Sequence, residues 1–203
     1  MRTSTRGIGA IAHGALVAVP LAIALVAGCA SGSGDDDAAT TTTTEPEDVV
    51  VEADDFSALT DMTPVRGFFI DNVAGHLDEA VAVAESEEGG TYPVGTIIQL
   101  IPQEAMVKRA PGFDPGSNDW EFFTLDATPA GTTILSRGGA DVVNRFSGSS
   151  CASCHSAAEP QFDFVCEDTH GCAPLPVGDD VITAIQQSDP RPRQGAPPAL
   201  APG

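Results

Sequence analysis

The residues best equipped for chemistry are Cys151-Ala152-Ser153-Cys154-His155. Two thiols three positions apart, followed at once by an imidazole, form the C-x-x-C-H signature of c-type haem attachment. Each thiol can form a thioether with one vinyl group of a porphyrin, and the histidine can then ligate the iron from the same side. In such a site the hard chemistry belongs to the haem, and the protein binds, orients and tunes it. The reading is one haem c per chain, with Cys151, Cys154 and His155 as its binding residues.

The other three cysteines are Cys29, Cys166 and Cys172. Residues 1–28 place Arg2 and Arg6 before an apolar run from Ile8 to Ala27. A basic start and an apolar centre form an export signal. It ends in Val26-Ala27-Gly28-Cys29, which resembles a bacterial lipobox, in which the cysteine is lipidated after cleavage. The alternative is an uncleaved span, since about 20 apolar residues can cross a bilayer. His13 and Pro20 fit a permanent span poorly, and a span leaves Cys29 without a role. The chain is therefore expected to be exported and lipid-anchored to a bacterial membrane, on the periplasmic or cell-surface side.

In an oxidising compartment Cys166 and Cys172 are expected to form a disulfide. Closing so short a loop contributes roughly 2 kcal/mol in the chain-entropy picture. Two other uses of the cysteines compete with this one. A zinc site could draw on Cys151, Cys154, Cys166 and Cys172 with His155 or His170, although the second pair has the wrong spacing for a zinc ribbon. A redox dithiol at Cys151 and Cys154 would normally open a helix in a βαβ setting, which the surrounding pattern does not suggest.

Four segments follow from composition. Residues 1–28 are the signal and 29–48 a flexible acidic, Thr-rich tether without an apolar pattern. Residues 49–188 are long enough for one ordinary domain, and 189–203 are a Pro-rich tail expected to be disordered. The formal charge is −20, and it becomes two units more negative when the signal is removed. Such a chain repels nucleic acid and excludes that partner. An acidic face suits solubility first and a basic redox partner second.

Within the domain, Arg66 to Asp71 reads as a strand ending at an Asp-Asn cap. Residues 72–88 carry Val73, Leu77, Ala80, Val81 and Ala84 at helical spacing, stopped by Gly89-Gly90. Thr96 to Ile101 is a β-branched run bounded by Gly95 and Pro102. Gln103 to Arg109 is compatible with a short helix or a strand. Trp120 to Leu125 reads as a strand, and Thr132 to Leu135 as an edge strand. The expected fold is mainly β (α+β): an antiparallel sheet with one or two packed helices and a covalently attached haem near the end of the domain. An all-helical cytochrome c would need three or four amphipathic helices and would carry its motif early.

These residues resemble the cytochrome P-460 family, which includes the cytochromes c′-beta. Phe68-Phe69-Ile70-Asp71 before a helix, Tyr92-Pro93-Val94-Gly95-Thr96-Ile97-Ile98 as an aromatic-Pro-x-Gly-Thr strand entry, Asp119-Trp120-Glu121-Phe122, a late Cys151 to His155, and Asp163-Phe164-Val165 occur in the family's order. The resemblance spans about Arg66 to Val165. It implies a mainly antiparallel β fold and a haem with His155 as the one protein ligand. The distal side would then serve hydroxylamine or nitric oxide chemistry, or be capped by apolar groups for gas binding. The porphyrin-linked lysine of P-460 enzymes would fall at about Leu100. Lys108, the only lysine, lies too far along. The resemblance therefore points to the c′-beta branch, with Leu100, Trp120 and Phe122 as distal-pocket candidates. Cys166 to Cys172 departs from the family's aromatic ending.

The reading is a membrane-tethered mono-haem cytochrome with five-coordinate iron, binding or converting a small diatomic or nitrogenous ligand such as nitric oxide. The alternatives are a six-coordinate electron carrier and a non-haem lipoprotein domain with zinc or disulfides. Expected partners are the small ligand, a redox protein, the membrane and a second copy in a homodimer. No catalytic residue is assigned. Met62, Met106 and His170 are weighed as further iron ligands, with core packing favoured for the methionines and a polar surface position for His170. His76 is read as solvated or packed on the helix. Arg109, Arg137 and Arg145 are weighed as propionate partners.

Overall fold

The computed structural model describes residues 46–195. The signal, the lipobox with Cys29, most of the tether and residues 196–203 lie outside the described residues. Among the described residues no helix is long and apolar enough to cross a membrane.

Six strands form one antiparallel sheet in the order of the chain: β1 Thr63–Val65, β2 Phe68–Asn72, β3 Thr96–Gln99, β4 Glu104–Lys108, β5 Trp120–Thr128 and β6 Gly131–Gly138. Turn chemistry sets the links. The β1–β2 reversal places Arg66 at positive φ, and Gly95, at φ +85°, enters β3 where a Cβ would meet Ala74 at 2.9 Å. The mainly β class is as expected, and Gln103 to Arg109 resolves to strand β4. A five-residue stretch between two reversals gains ladder bonds on both sides, which an isolated helical turn cannot match.

Alternation along the strands divides the core in two. On one face Val65, Phe68, Ile70, Ile98, Met106, Trp120 and Phe122 pack against Ala80 and Ala84 of helix α1 (Leu77–Glu85), Ala152 of helix α2 (Cys151–His155), Val142 and Val165. On the other face Ile97, Ala105, Val107, Phe123 and Leu125 meet Val51, Phe56, Leu59 and Met62 from the segment before β1. α1 is shorter than the 72–88 expected. The Asn72 carboxamide oxygen accepts from Ala74 N and His76 N at 2.8 and 3.0 Å, so Val73 to Gly75 form a capping turn instead of a helical one. His76 ends up solvated at the helix start.

Strand β1 and helix α3 (Asp179–Gln187) escape the sequence pattern. Helix α3 has no buried residue and is held by Gln186 Nε2, which donates to Gly67 O and Leu100 O at 2.8 and 2.9 Å. The ordered chain also passes both expected domain borders. Asp48 pairs with Arg109. Asp189 Oδ2 accepts from Leu59 N at 2.8 Å, and Arg191, only 5% exposed, donates to Asp189, Phe56 O and Gln99 Oε1. These contacts run into the segment expected to be disordered, as far as Gln194, whose amide donates to Asp61 Oδ2 at 2.6 Å.

A chain ending at Ser188 is expected to lose roughly 2–4 kcal/mol of stability, because the Phe56 carbonyl and Gln99 amide lose a charged donor. Urea unfolding of full and shortened chains checks this, and equal midpoints would show that the strap contributes nothing.

Candidate functional site around helix α2

The C-x-x-C-H residues form α2, a turn and a half of helix. It starts there because Ser150 Oγ accepts from Ser153 N at 3.3 Å, an N-cap that satisfies one of the free amide groups. Ser150 Oγ also donates to Ala140 O at 2.7 Å, and Cys151 N donates to Val142 O at 2.9 Å, so the cap is tied to the loop after β6. Helical spacing puts Cys151, Cys154 and His155 on neighbouring positions of one face. Cys151 is half-buried, Cys154 exposed, and both are free thiols. Burial pushes the Cys151 thiol up to about 11, with Glu104 adding to the shift, so it rests as a thiol.

His155 leans on the sheet, with its ring centroid 5.1 Å from that of Phe122. Its Nδ1 lies 2.8 Å from Phe164 O. A carbonyl can only accept, so Nδ1 carries the proton and Nε2 keeps its lone pair. Burial holds the imidazole below its usual pKa, opposed by the Phe164 carbonyl. A neutral histidine with its second nitrogen tied to a backbone carbonyl is the arrangement that metal-ligating histidines adopt. These residues fit haem c: two free thiols, an oriented neutral imidazole and an apolar sheet face beneath them.

The Phe164 carbonyl is itself held in place. Asp163 and Phe164 lie at φ +50° and +66°, the left-handed region, which costs a non-glycine residue about 1 kcal/mol or more. A dense set of bonds stabilises this bend. Asp163 Oδ1 accepts from Lys108 Nζ at 2.7 Å and Asn118 Nδ2 at 2.5 Å, Oδ2 from Tyr92 N at 2.8 Å, and its carbonyl from Trp120 Nε1 at 2.6 Å. Lys108 Nζ also donates to Asn118 O at 2.9 Å and sits 5.2 Å from the centre of the Trp120 ring. Both charged side chains are more than nine-tenths buried. Burial pushes the Asp163 carboxyl up, and Lys108 draws it back.

The three distal candidates lie in this same cluster. Phe122 packs on the His155 ring, with centroids 5.1 Å apart, so it stands on the side of the expected proximal ligand and not opposite it, against the distal position expected for it. Trp120 is fully buried and bonded to the backbone beside it, and half-buried Leu100 follows β3. Met106 is paired with Phe122 across β4 and β5, whereas Met62 packs on the opposite face of the sheet. Arg109 and Arg137 bind Glu121 on that opposite face, which removes both as propionate partners. Arg145 donates to Leu125 O at 3.2 Å and draws the Glu104 carboxyl downward, so it stays near α2. The surface position expected for His170 is not found. Its ring is buried, stacked on Phe162 at 3.7 Å, with Nδ1 2.8 Å from Val165 O.

Cys166 and Cys172 are joined, with Cα atoms 5.6 Å apart, in the range a disulfide requires. The bridge takes two thiols from the four-cysteine zinc arrangement. Among the described residues no group of three or more His, Cys, Asp or Glu side chains could hold a metal ion. A concavity of about 900 Å³ opens beside His76, Tyr92, Lys108 and Asn118, and none of Cys151, Cys154 and His155 lines it.

Glu104 is the residue that sequence reasoning passed over. Its alternation with Met106 and Lys108 in β4 was the available signal. It is half-buried, accepts from Asn144 Nδ2, and burial raises its pKa to about 6, with only Arg145 opposing. The Phe164 carbonyl was also missed; a backbone acceptor leaves no mark in side-chain composition.

No protein-family profile, curated protein or solved structure matches the chain.

A carboxyl raised in the folded state binds more protons there than when unfolded. Stability should therefore fall as pH rises from about 4.5 through 6, by up to about 2 kcal/mol. Glu104→Gln should flatten that step, as read from urea midpoints at pH 4.5 and 7. An unchanged step would assign it to another group.

Proposed function

We propose that the chain is a mono-haem c-type cytochrome of the P-460/c′-beta kind, tethered to a bacterial membrane through Cys29. Cys151 and Cys154 carry the thioethers and His155 is the proximal iron ligand. The observation that carries this reading is the His155 Nδ1 bond to Phe164 O, which leaves Nε2 as a free donor beside two unpaired thiols. When bound, the haem supplies an iron that takes up a small ligand such as nitric oxide. The chain's own residues fix the imidazole, keep it neutral and surround it with apolar side chains. Phe122, Trp120 and Leu100 limit water on that face. Engagement of Lys108 with Asp163 supports ligand binding over the hydroxylamine oxidation of lysine-linked P-460 enzymes.

A second reading, a six-coordinate electron carrier, draws on Met106, a thioether on the same sheet face as Phe122. Carbon monoxide or nitric oxide addition separates the two. A spectrum that shifts supports five-coordinate iron, and an unaltered low-spin spectrum that Met106→Ala converts to a ligand-sensitive one selects Met106 ligation.

Expressed with a haem-maturation system, the chain should give a Soret band and one covalent haem by pyridine haemochrome assay. Cys151→Ser with Cys154→Ser should abolish attachment, and His155→Ala should change the spectrum of any haem that remains attached. A wild-type chain exported with both thiols free and no haem adduct by mass spectrometry would end the proposal.

A further inference from the structure

The chain's only lysine is buried in an ion pair some distance along the backbone from the haem motif. An ion pair of this kind gives weak grounds for a stabilising role, since two well-packed neutral groups often serve as well. Its surroundings suggest a different use. Asp163 is bonded at all four of its polar groups: both carboxylate oxygens, the carbonyl and the amide, which donates to Pro160 O at 3.4 Å. The next residue, Phe164, shares its left-handed backbone conformation. Two consecutive non-glycine residues in that region persist only where neighbouring contacts over-determine them, and such strain gathers at functional sites. The peptide so bent presents the carbonyl that receives His155 Nδ1–H at 2.8 Å.

We infer that Lys108 and Asp163 are positioning residues for His155: the pair locks the Asp163–Phe164 bend, and the bend aims the Phe164 carbonyl at the imidazole. The inference rests on His155 being the iron ligand. Lys108 draws Asp163 inward through Oδ1, while Tyr92 N and Trp120 Nε1 hold its other edges. The carbonyl that follows has one orientation. A firm Nδ1–H bond makes the imidazole a stronger donor to the metal and stabilises the ferric state. Loosening the bend weakens that donation without touching a haem ligand.

The test uses the full chain loaded with haem. Lys108→Met alone leaves a buried carboxylate without its cation and risks unfolding, so the decisive variant is the double Lys108→Met/Asp163→Asn, which removes both charges together. The readouts are haem stoichiometry, the iron–histidine stretching frequency in the ferrous state and the reduction potential. The double variant should keep one covalent haem, with a lower stretching frequency and a raised potential. His155→Gly supplemented with imidazole, whose ligand no longer depends on the chain, should show no such difference between the two backgrounds. A folded, loaded double variant with the wild-type frequency and potential overturns the inference. So does a double variant that cannot fold, because the pair would then be a support of the fold alone. A wild-type chain that takes up no haem is a separate result and strikes the proposed function instead.

Discussion

The Asp163 carboxylate and the side chains that converge on it are the constraint on which the geometry around helix α2 depends. Lys108 reaches it from β4, Asn118 from the turn before β5, and Tyr92 N from the approach to β3. Trp120 of β5 takes the carbonyl of the same residue. Three segments distant in sequence therefore meet at one acid that follows Cys151–His155 by only eight residues. Because both charges are buried, losing either would leave the other uncompensated in a low-dielectric setting. That makes the arrangement close to all-or-none, and it ties the register of the central strands to the placement of helix α2.

The sheet has two unlike faces. Beneath β3, β4 and β5 lies an apolar floor closed by the segment before β1 and by the strap through Arg191. Glu121, itself buried, belongs to that side with Arg109 and the more exposed Arg137 as a charge cluster. The opposite face is also apolar at its centre, but it carries α1, α2 and the Asp163 bend, with Glu104 and Arg145 at its edge. Among the described residues, free thiols, a neutral imidazole and an apolar surface coincide only on this second face. The disulfide between Cys166 and Cys172 closes the loop directly after the bend and limits the freedom of the segment that holds Phe164.

The fold class and four of the six strands follow from local patterns. The β-branched run between Gly95 and Pro102 and the aromatic-rich runs at β2 and β5 are short-range signals that tertiary contacts did not override. β1 is three residues long and contains Pro64, so its pattern was too short to read, and it exists because β2 offers a partner. α3 shows no apolar stripe buried against the sheet; two bonds from Gln186 hold it. His170 looked polar and exposed because it stands in an Asp-Thr-His-Gly turn, yet stacking on Phe162 buries it.

From the residues alone come the mainly β class, the C-x-x-C-H motif and the chemistry expected of it, the expectation of a Cys166–Cys172 bridge, the acidic charge and the export signal expected at the start. Each of these rests on neighbours in the chain or on composition, so no folding is needed to see it. Only the tertiary structure could decide that Lys108 meets Asp163, that Arg109 and Arg137 belong to the far face, and that Phe164 offers its carbonyl to His155. These depend on contacts between residues 9 to 55 positions apart and on which side of a strand each side chain falls. A backbone carbonyl is the same in every residue, and its direction exists only once the chain around it is packed.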